Sequence, residues 1–222
     1  MGSGHGYVIG TSGNIYITCR INPCILAPLA LDVQKKWDAI YSKQDAELAA
    51  STVSLVLEQN QHLLPITGLA LELACGLGAN SLFLSEKGLK VHSWDISAVA
   101  IYQLDKMALK RNADIHTQQR DVIANPPEDN LYDVIVVSHF LDRDLTAKII
   151  SALKPGGILF YQTFCRDKVN DSGPSNPAFL LADNELLRLF NALKVRVYRE
   201  EALIGQCDLG WRNQAMLVAE KV

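Results

Sequence analysis

The sequence lacks the features that mark several protein classes. Its five cysteines are odd in number and include no C-x-x-C pair, which speaks against a disulfide framework or a zinc ribbon. Reduced thiols in a cytoplasmic protein fit that usage. The five histidines make neither an H-x₃-H nor an H-E-x-x-H spacing, so no metal site is expected. Basic residues are in no excess. Lys plus Arg is 21 against 24 Asp plus Glu, a net charge of −3, so a nucleic-acid partner is not expected. Long apolar runs are missing too. Cys24 to Leu31 is eight residues with Pro28 inside, far short of the roughly 20 that cross a bilayer. No lysine or arginine precedes Arg20, so a secretory signal would lack its basic start. Gly6 stands where a myristoylation signal needs Ser or Thr. No membrane partner follows, and no feature specifies an oligomeric state.

What is present is an ordinary globular composition. The 222 residues are 49% hydrophobic and 20% charged, enough to bury one sizeable core. Residues 1–30 show no usable period and read as a leader of unclear order. From Leu31 onward the pattern sharpens. Val33, Trp37, Ile40, Tyr41 and Gln44 share one helical face. Asp45 is placed to cap a second helix, Ala46 to about Glu58. After Pro65 and Gly68, strands and helices alternate. Strands are expected at Leu69–Ala74, Leu89–Trp94, Ile115–Gln118, Tyr132–Val137 and Ile158–Phe164. Helices are expected at Asn80–Lys87, from Ser97 to about Asn112, at Leu145–Leu153 and at Asn184–Leu193. Lys154-Pro155-Gly156-Gly157 reads as the turn that ends the third of these helices. Such alternation implies parallel pairing in an α/β layer fold. Val195–Arg199 and Ala215–Ala219 have no helix between them, so they pair as an antiparallel hairpin. The expected organisation is one domain over residues 31–222, with an N-terminal helical extension.

The chemistry concentrates where the first strand ends. Leu71-Glu72-Leu73-Ala74-Cys75-Gly76-Leu77-Gly78-Ala79-Asn80-Ser81 is a strand, a glycine turn and a helix start. Gly76 and Gly78 let backbone approach a ligand, and free N–H groups at the helix start favour a polar or negative group. Asp95 follows Gly78 by seventeen residues, at the end of the next strand, where a carboxylate can accept both ribose hydroxyls. A plain glycine turn with Asp95 as a helix cap is the ordinary alternative. Nicotinamide and adenosylmethionine sites share this geometry, and Glu72 separates them. A carboxylate inside the first strand repels a pyrophosphate but suits an ammonium and a sulfonium. The third glycine of the dinucleotide fingerprint is Ser81 here. Asp121-Val122 follows the third strand, where a carboxylate can accept from an adenine amino group; a solvated turn residue is the bland reading.

Three look-alikes carry no chemistry. Asn125-Pro126-Pro127-Glu128 lies before the fourth strand and reads as a turn. Tyr102 and Lys106 show helix-face spacing, not a dehydrogenase dyad. Cys75 has no basic partner in the sequence and reads as a small buried residue.

The runs E-L-A-C-G-L-G, S-W-D-I-S, Q-R-D-V, Y-D-V-I-V-V-S-H-F and L-K-P-G-G together resemble the class I S-adenosylmethionine-dependent methyltransferases, over roughly Leu31 to Val222. The W-D-x-I-Y run at Trp37–Tyr41 is similar to small-molecule members of the tellurite-resistance type. Ala74 departs from the pattern, where the family has glycine. The resemblance implies a Rossmann-like seven-stranded sheet, order 3-2-1-4-5-7-6, with the last strand antiparallel and helices on both faces. It implies S-adenosylmethionine as cofactor and S-adenosylhomocysteine as product. Glu72, Ala74, Gly76 and Gly78 would line the methionine end. Asp95 would hold the ribose, Ile96 would pack on adenine, and Asp121 with the Val122 backbone would read the adenine edge. Ser138 and His139 would face the methionine part and the substrate, with His139 the catalytic candidate. Trp37 and Tyr41 are candidates for substrate contact or closure, as is the loop Asp167–Ala178. The expected enzyme is a methyltransferase acting on a small molecule, a soft thiol or metalloid nucleophile. A catalytically silent adenosylmethionine-binding module and an NAD-dependent oxidoreductase are the alternatives.

Overall fold

The apolar run Leu69–Leu73 (β1) is buried on both faces, which forces it to the middle of a sheet covered on both sides. The computed structural model describes residues 23–44, 46 and 52–222, with side chains from Leu31 onward. In chain order the elements are α1 (Pro23–Tyr41), α2 (Leu55–Gln59), β1, α3 (Ala79–Glu86), β2 (Lys90–Asp95), α4 (Ala98–Arg111), β3 (Ile115–Gln119), β4 (Tyr132–Ser138), α5 (Thr146–Ala152), β5 (Leu153–Phe164), α6 (Glu185–Leu189), β6 (Lys194–Glu200) and β7 (Gln214–Glu220). The seven strands form one sheet in the order β3-β2-β1-β4-β5-β7-β6. β1 pairs parallel with β2 and β4, while β7 runs antiparallel to both β5 and β6. This is the Rossmann-like sheet that the resemblance implied.

Alternate side chains fill the two faces. Leu71, Leu73, Ile135, Val137, Leu159 and Leu217 pack on one side. Ala70, Val91, Val134, Phe160 and Val218 pack on the other, under Val56 and Leu57 of α2. Ser97 caps α4 by accepting from the Ala100 N–H at 3.2 Å.

Three expectations shift. Helix α2 begins at Leu55, with Ser54 extended at ψ 137°. The expected start at Ala46 cannot be followed, because residues 45 and 47–51 lie outside the described residues, as does the leader through residue 22. The Lys154–Gly157 turn is absorbed into β5, where the register jumps from Tyr132 opposite Leu153 to Val134 opposite Ile158. A Cβ at Gly157 would lie 2.9 Å from the Tyr132 carbonyl oxygen, so glycine lets the strand resume there. The helix expected over Asn184–Leu193 closes at Leu189, five residues long. Among the described residues no helix is long and apolar enough to cross a membrane.

Candidate functional site

Parallel strands point their carboxyl ends in one direction, and the loops that follow them enclose a cavity of about 530 Å³. That volume is in the range of ordinary small-ligand sites. All twelve residues singled out from the sequence line it: Trp37 and Tyr41 on α1, Glu72 in β1, Ala74, Gly76 and Gly78 in the turn, Asp95 and Ile96 after β2, Asp121 and Val122 after β3, and Ser138 and His139 after β4.

The turn after β1 is left-handed three times over: Ala74 at φ +53°, Gly76 at φ +53° and Gly78 at φ +78°. A Cβ on Gly76 would lie 2.8 Å from the Tyr41 hydroxyl, and one on Gly78 would collide with Leu104. Only glycine fits at those two positions. Ala74 adopts the same conformation with its β-carbon in place, at a cost of about 1–2 kcal/mol.

Glu72 is 1% exposed. Asn80 Nδ2 donates to one of its oxygens at 2.8 Å, and the Ser81 hydroxyl donates to the other. Burial pushes its pKa up to about 7 despite these hydrogen bonds. Asp95 is also buried, which raises its pKa. Its Oδ2 accepts from the Gly76 N–H and its Oδ1 from the Ser97 N–H, each at 2.8 Å. Two oxygens offer about four acceptor positions, so Asp95 keeps capacity for a ligand hydroxyl. It both builds the turn and faces the cavity. Asp121 is likewise double: its Oδ1 accepts from the Ile123 and Ala124 N–H groups at 3.0 and 3.2 Å. Burial raises the Cys75 thiol well above its ordinary pKa, which keeps it protonated.

Trp37 and Tyr41 stack with ring centroids 5.6 Å apart. Between them, Asp38 Oδ1 accepts from the Ser97 hydroxyl at 2.5 Å and the Val99 N–H at 3.2 Å. This carboxylate caps α4 from outside and seats α1 over the cavity. On the far side, His139 sits at φ +56°. Its Nε2 lies 3.2 Å from Gln214 Oε1, and burial lowers its pKa, so the ring is neutral at pH 7.

The loop Asp167–Ala178 contributes nothing to the lining, contrary to expectation. It folds back instead. Asn213 Nδ2 donates to Asn170 Oδ1 at 2.9 Å and to Ser172 Oγ at 2.8 Å, and Gly173 packs against Phe164. Thr52, Val53, Ser54 and Leu55 line the cavity in addition. The sequence reading also missed Asn80, Arg120, Gln162 and Gln214. Gln162 had a readable signal, since an amide interrupts the apolar run Ile158–Phe164. Arg120 stacks its guanidinium 3.8 Å from the Trp94 ring centroid and donates to the Asn125 and Pro126 carbonyls at 2.8 and 2.7 Å. The Asn-Pro-Pro-Glu run is thereby a pinned turn. Tyr102 and Lys106 form a cation–π pair at 4.4 Å on α4, outside the lining.

This constellation has counterparts. The family model described as tellurite resistance protein TehB matches residues 34–208. The chain belongs to the TehB family. A curated TehB relative from Haemophilus influenzae (strain ATCC 51907 / DSM 11121 / KW20 / Rd), described as a probable S-adenosyl-L-methionine-dependent methyltransferase, is 35% identical over 138 residues. That match covers 59% of this chain and 47% of the relative, so the chain spans about half the length of the curated relatives it matches. The crystal structure of TehB from Haemophilus influenzae superposes with a TM-score of 0.60 at 28% identity, over 75% of this chain and 61% of that one. A putative S-adenosylmethionine-dependent methyltransferase from Listeria monocytogenes shares the fold at 15% identity, TM-score 0.57, over 75% of this chain and 98% of that one.

Proposed function

We propose that this TehB-family chain is an S-adenosylmethionine-dependent methyltransferase of the cytoplasm, acting on a small molecule with a soft nucleophile such as a thiol or a reduced metalloid species. The observation that carries the reading is the convergence of a glycine turn, a buried Glu72 and a buried Asp95 on one cavity. The cofactor fits the groups present. Two carboxylates, and a turn with no room for a β-carbon at Gly76 and Gly78, suit a ligand with a cationic end and a ribose, and the carboxylates oppose a pyrophosphate. Bound there, S-adenosylmethionine supplies an electrophilic methyl group on a sulfonium, open to in-line displacement.

The chain's own residues then have distinct roles. Glu72, with Asn80 and Ser81 holding its oxygens, accepts from the ammonium. Asp95 accepts from the ribose, Ile96 packs on the adenine, and Asp121 with the Val122 backbone reads its edge. Ala74, Gly76 and Gly78 allow close approach. Trp37 and Tyr41 close the cavity and exclude water, which otherwise favours the charged starting state. Ser138 and His139 face the acceptor. A soft nucleophile that is already anionic needs little help from a base.

The test is adenosylhomocysteine release from purified protein against thiols, metalloid oxyanions with reductant, amines and phenols. Turnover with a thiol or reduced metalloid is expected, and His139→Ala should lower the maximal rate by less than about tenfold, well below the roughly 10²–10⁴ of a lost general base. Cofactor binding without turnover on any acceptor would favour a silent binding module. A thousand-fold loss in His139→Ala, with cofactor binding intact, would reassign the acceptor as a protonated one.

A further inference from the structure

Gln162 plays no part in the roles above, yet its amide is bonded at both ends. It is 3% exposed, near the carboxyl end of β5. Its Oε1 accepts from the Val56 N–H in the first turn of α2 at 2.8 Å. Its Nε2 donates to Gln214 Oε1 at 2.8 Å. His139 Nε2 lies 3.2 Å from that same Gln214 oxygen and 3.4 Å from Gln162 Nε2.

These contacts fix one another in sequence. A backbone N–H only donates, so the Gln162 atom facing Val56 is its oxygen. The atom at the other end is then the NH₂, so the Gln214 atom facing it is oxygen. An amide oxygen only accepts, so His139 Nε2 pairs with it only if Nε2 carries the proton. The opposite tautomer would set a nitrogen lone pair against an oxygen at 3.2 Å, with the longer 3.4 Å approach of Gln162 as its compensation.

We propose that Gln162 is a positioning residue which, through Gln214, holds His139 in the Nε2–H tautomer and leaves Nδ1 as the unprotonated nitrogen. Among the described residues Nδ1 has no hydrogen-bond partner. It is therefore the nitrogen able to accept from a bound S–H or O–H group. That use of Nδ1 rests on the methyltransferase reading; the tautomer itself does not. The same amide anchors α2, so the cavity-lining residues just before that helix share its support.

The test is long-range ¹H–¹⁵N correlation on histidine-labelled protein without cofactor, with His139 assigned from the spectrum of His139→Gln. Wild type is expected to show a protonated Nε2 and a bare Nδ1. In Gln162→Glu the carboxylate still accepts from Val56 but has no proton for Gln214. Gln214 turns its NH₂ inward, and His139 Nε2 must then accept. The Nε2–H to Nδ1–H ratio should fall at least tenfold, and the titration midpoint of His139 should rise by about one unit beside the new charge. If Gln162→Glu fails to fold, Gln162→Met keeps the volume, frees Gln214 and should give mixed tautomers. A wild type that is Nδ1–H overturns the proposal, as does a tautomer unchanged in the folded variant. Absent methyl turnover with the expected tautomer would sink the activity and leave this assignment standing.

Discussion

At Ala74 the backbone turns through φ +53° with a β-carbon in place, next to two glycines that do the same without one. Relief of the left-handed strain, about 1–2 kcal/mol, should outweigh the added unfolded-state freedom of glycine, roughly 0.4–1 kcal/mol. Ala74→Gly is expected to raise the melting temperature in scanning calorimetry by about 2–4 °C for a chain of this size. A fall would mean that the Ala74 methyl packs more productively than its dihedral suggests. Glu72 carries a different cost. Its pKa is raised by burial to about 7, so the folded chain binds this proton more tightly than the unfolded one. Its contribution to stability is fully present below about pH 4.5 and is lost as pH rises through 7, in all about 3 kcal/mol. An ammonium beside it reverses the preference by holding the carboxylate ionised. Adenosylhomocysteine should therefore bind more weakly as pH falls below 7, by up to about tenfold per unit, and release a proton on binding near pH 6.5. Calorimetric titration in buffers of different ionisation enthalpy reads that proton, and equal apparent enthalpies would remove Glu72 from the ammonium site.

Among the elements, α1 depends on one carboxylate for its seat. Asp38 meets the first turn of α4 through the Ser97 hydroxyl and the Val99 N–H, and these donors hold its pKa below the ordinary value despite partial burial. Loss of a charge-assisted cap is on the scale of 1–2 kcal/mol. Asp38→Ala should expose α1 to limited proteolysis and weaken adenosylhomocysteine binding three- to tenfold, because Trp37 and Tyr41 ride on that helix. Unchanged proteolysis and affinity would show that α1 docks by its rings alone. Elements of this kind were legible in the sequence where one signal dominated. The apolar run of β1, the glycine turn after it and the Ser97 cap each announce themselves locally. The non-helical stretch at residues 52–54 ahead of α2 and the inclusion of Gly156 and Gly157 in β5 did not, because long-range bonds set the first and strand pairing the second. The loop Asp167–Ala178 looked like a closing element from its glycine and prolines, yet Asn213 holds it away from the cavity, a partner more than thirty residues further along the chain. Asn80 was unreadable as a site residue for the same reason, and for Gln162 only the amide inside an apolar run could be read, not the partner it serves. Their bonds to the Ser54 and Val56 N–H groups join segments 26 and 106 residues apart.

For the whole molecule, strand order divides the cavity into two halves of unlike chemistry. The β1-β2-β3 side supplies the carboxylates Glu72, Asp95 and Asp121, with Arg120 committed to Trp94 and the carbonyls of its own loop. The β4-β5-β7 side supplies uncharged donors and acceptors, Ser138, His139, Gln162 and Gln214. A ligand with a cationic end and a ribose satisfies the first half, and a small neutral or soft acceptor satisfies the second. NAD would bring two phosphates to the half that holds the carboxylates, where like charges in a low-dielectric site are strongly unfavourable. Ligand selectivity should therefore appear as a difference in apparent stability. At about a hundredfold excess over its dissociation constant, adenosylmethionine or adenosylhomocysteine should add about 2.7 kcal/mol, a rise of roughly 5–10 °C in a thermal-shift experiment. NAD and NADP should leave the midpoint where it was. The opposite pattern would place the pyrophosphate beside Glu72 after all and return the chain to the oxidoreductases.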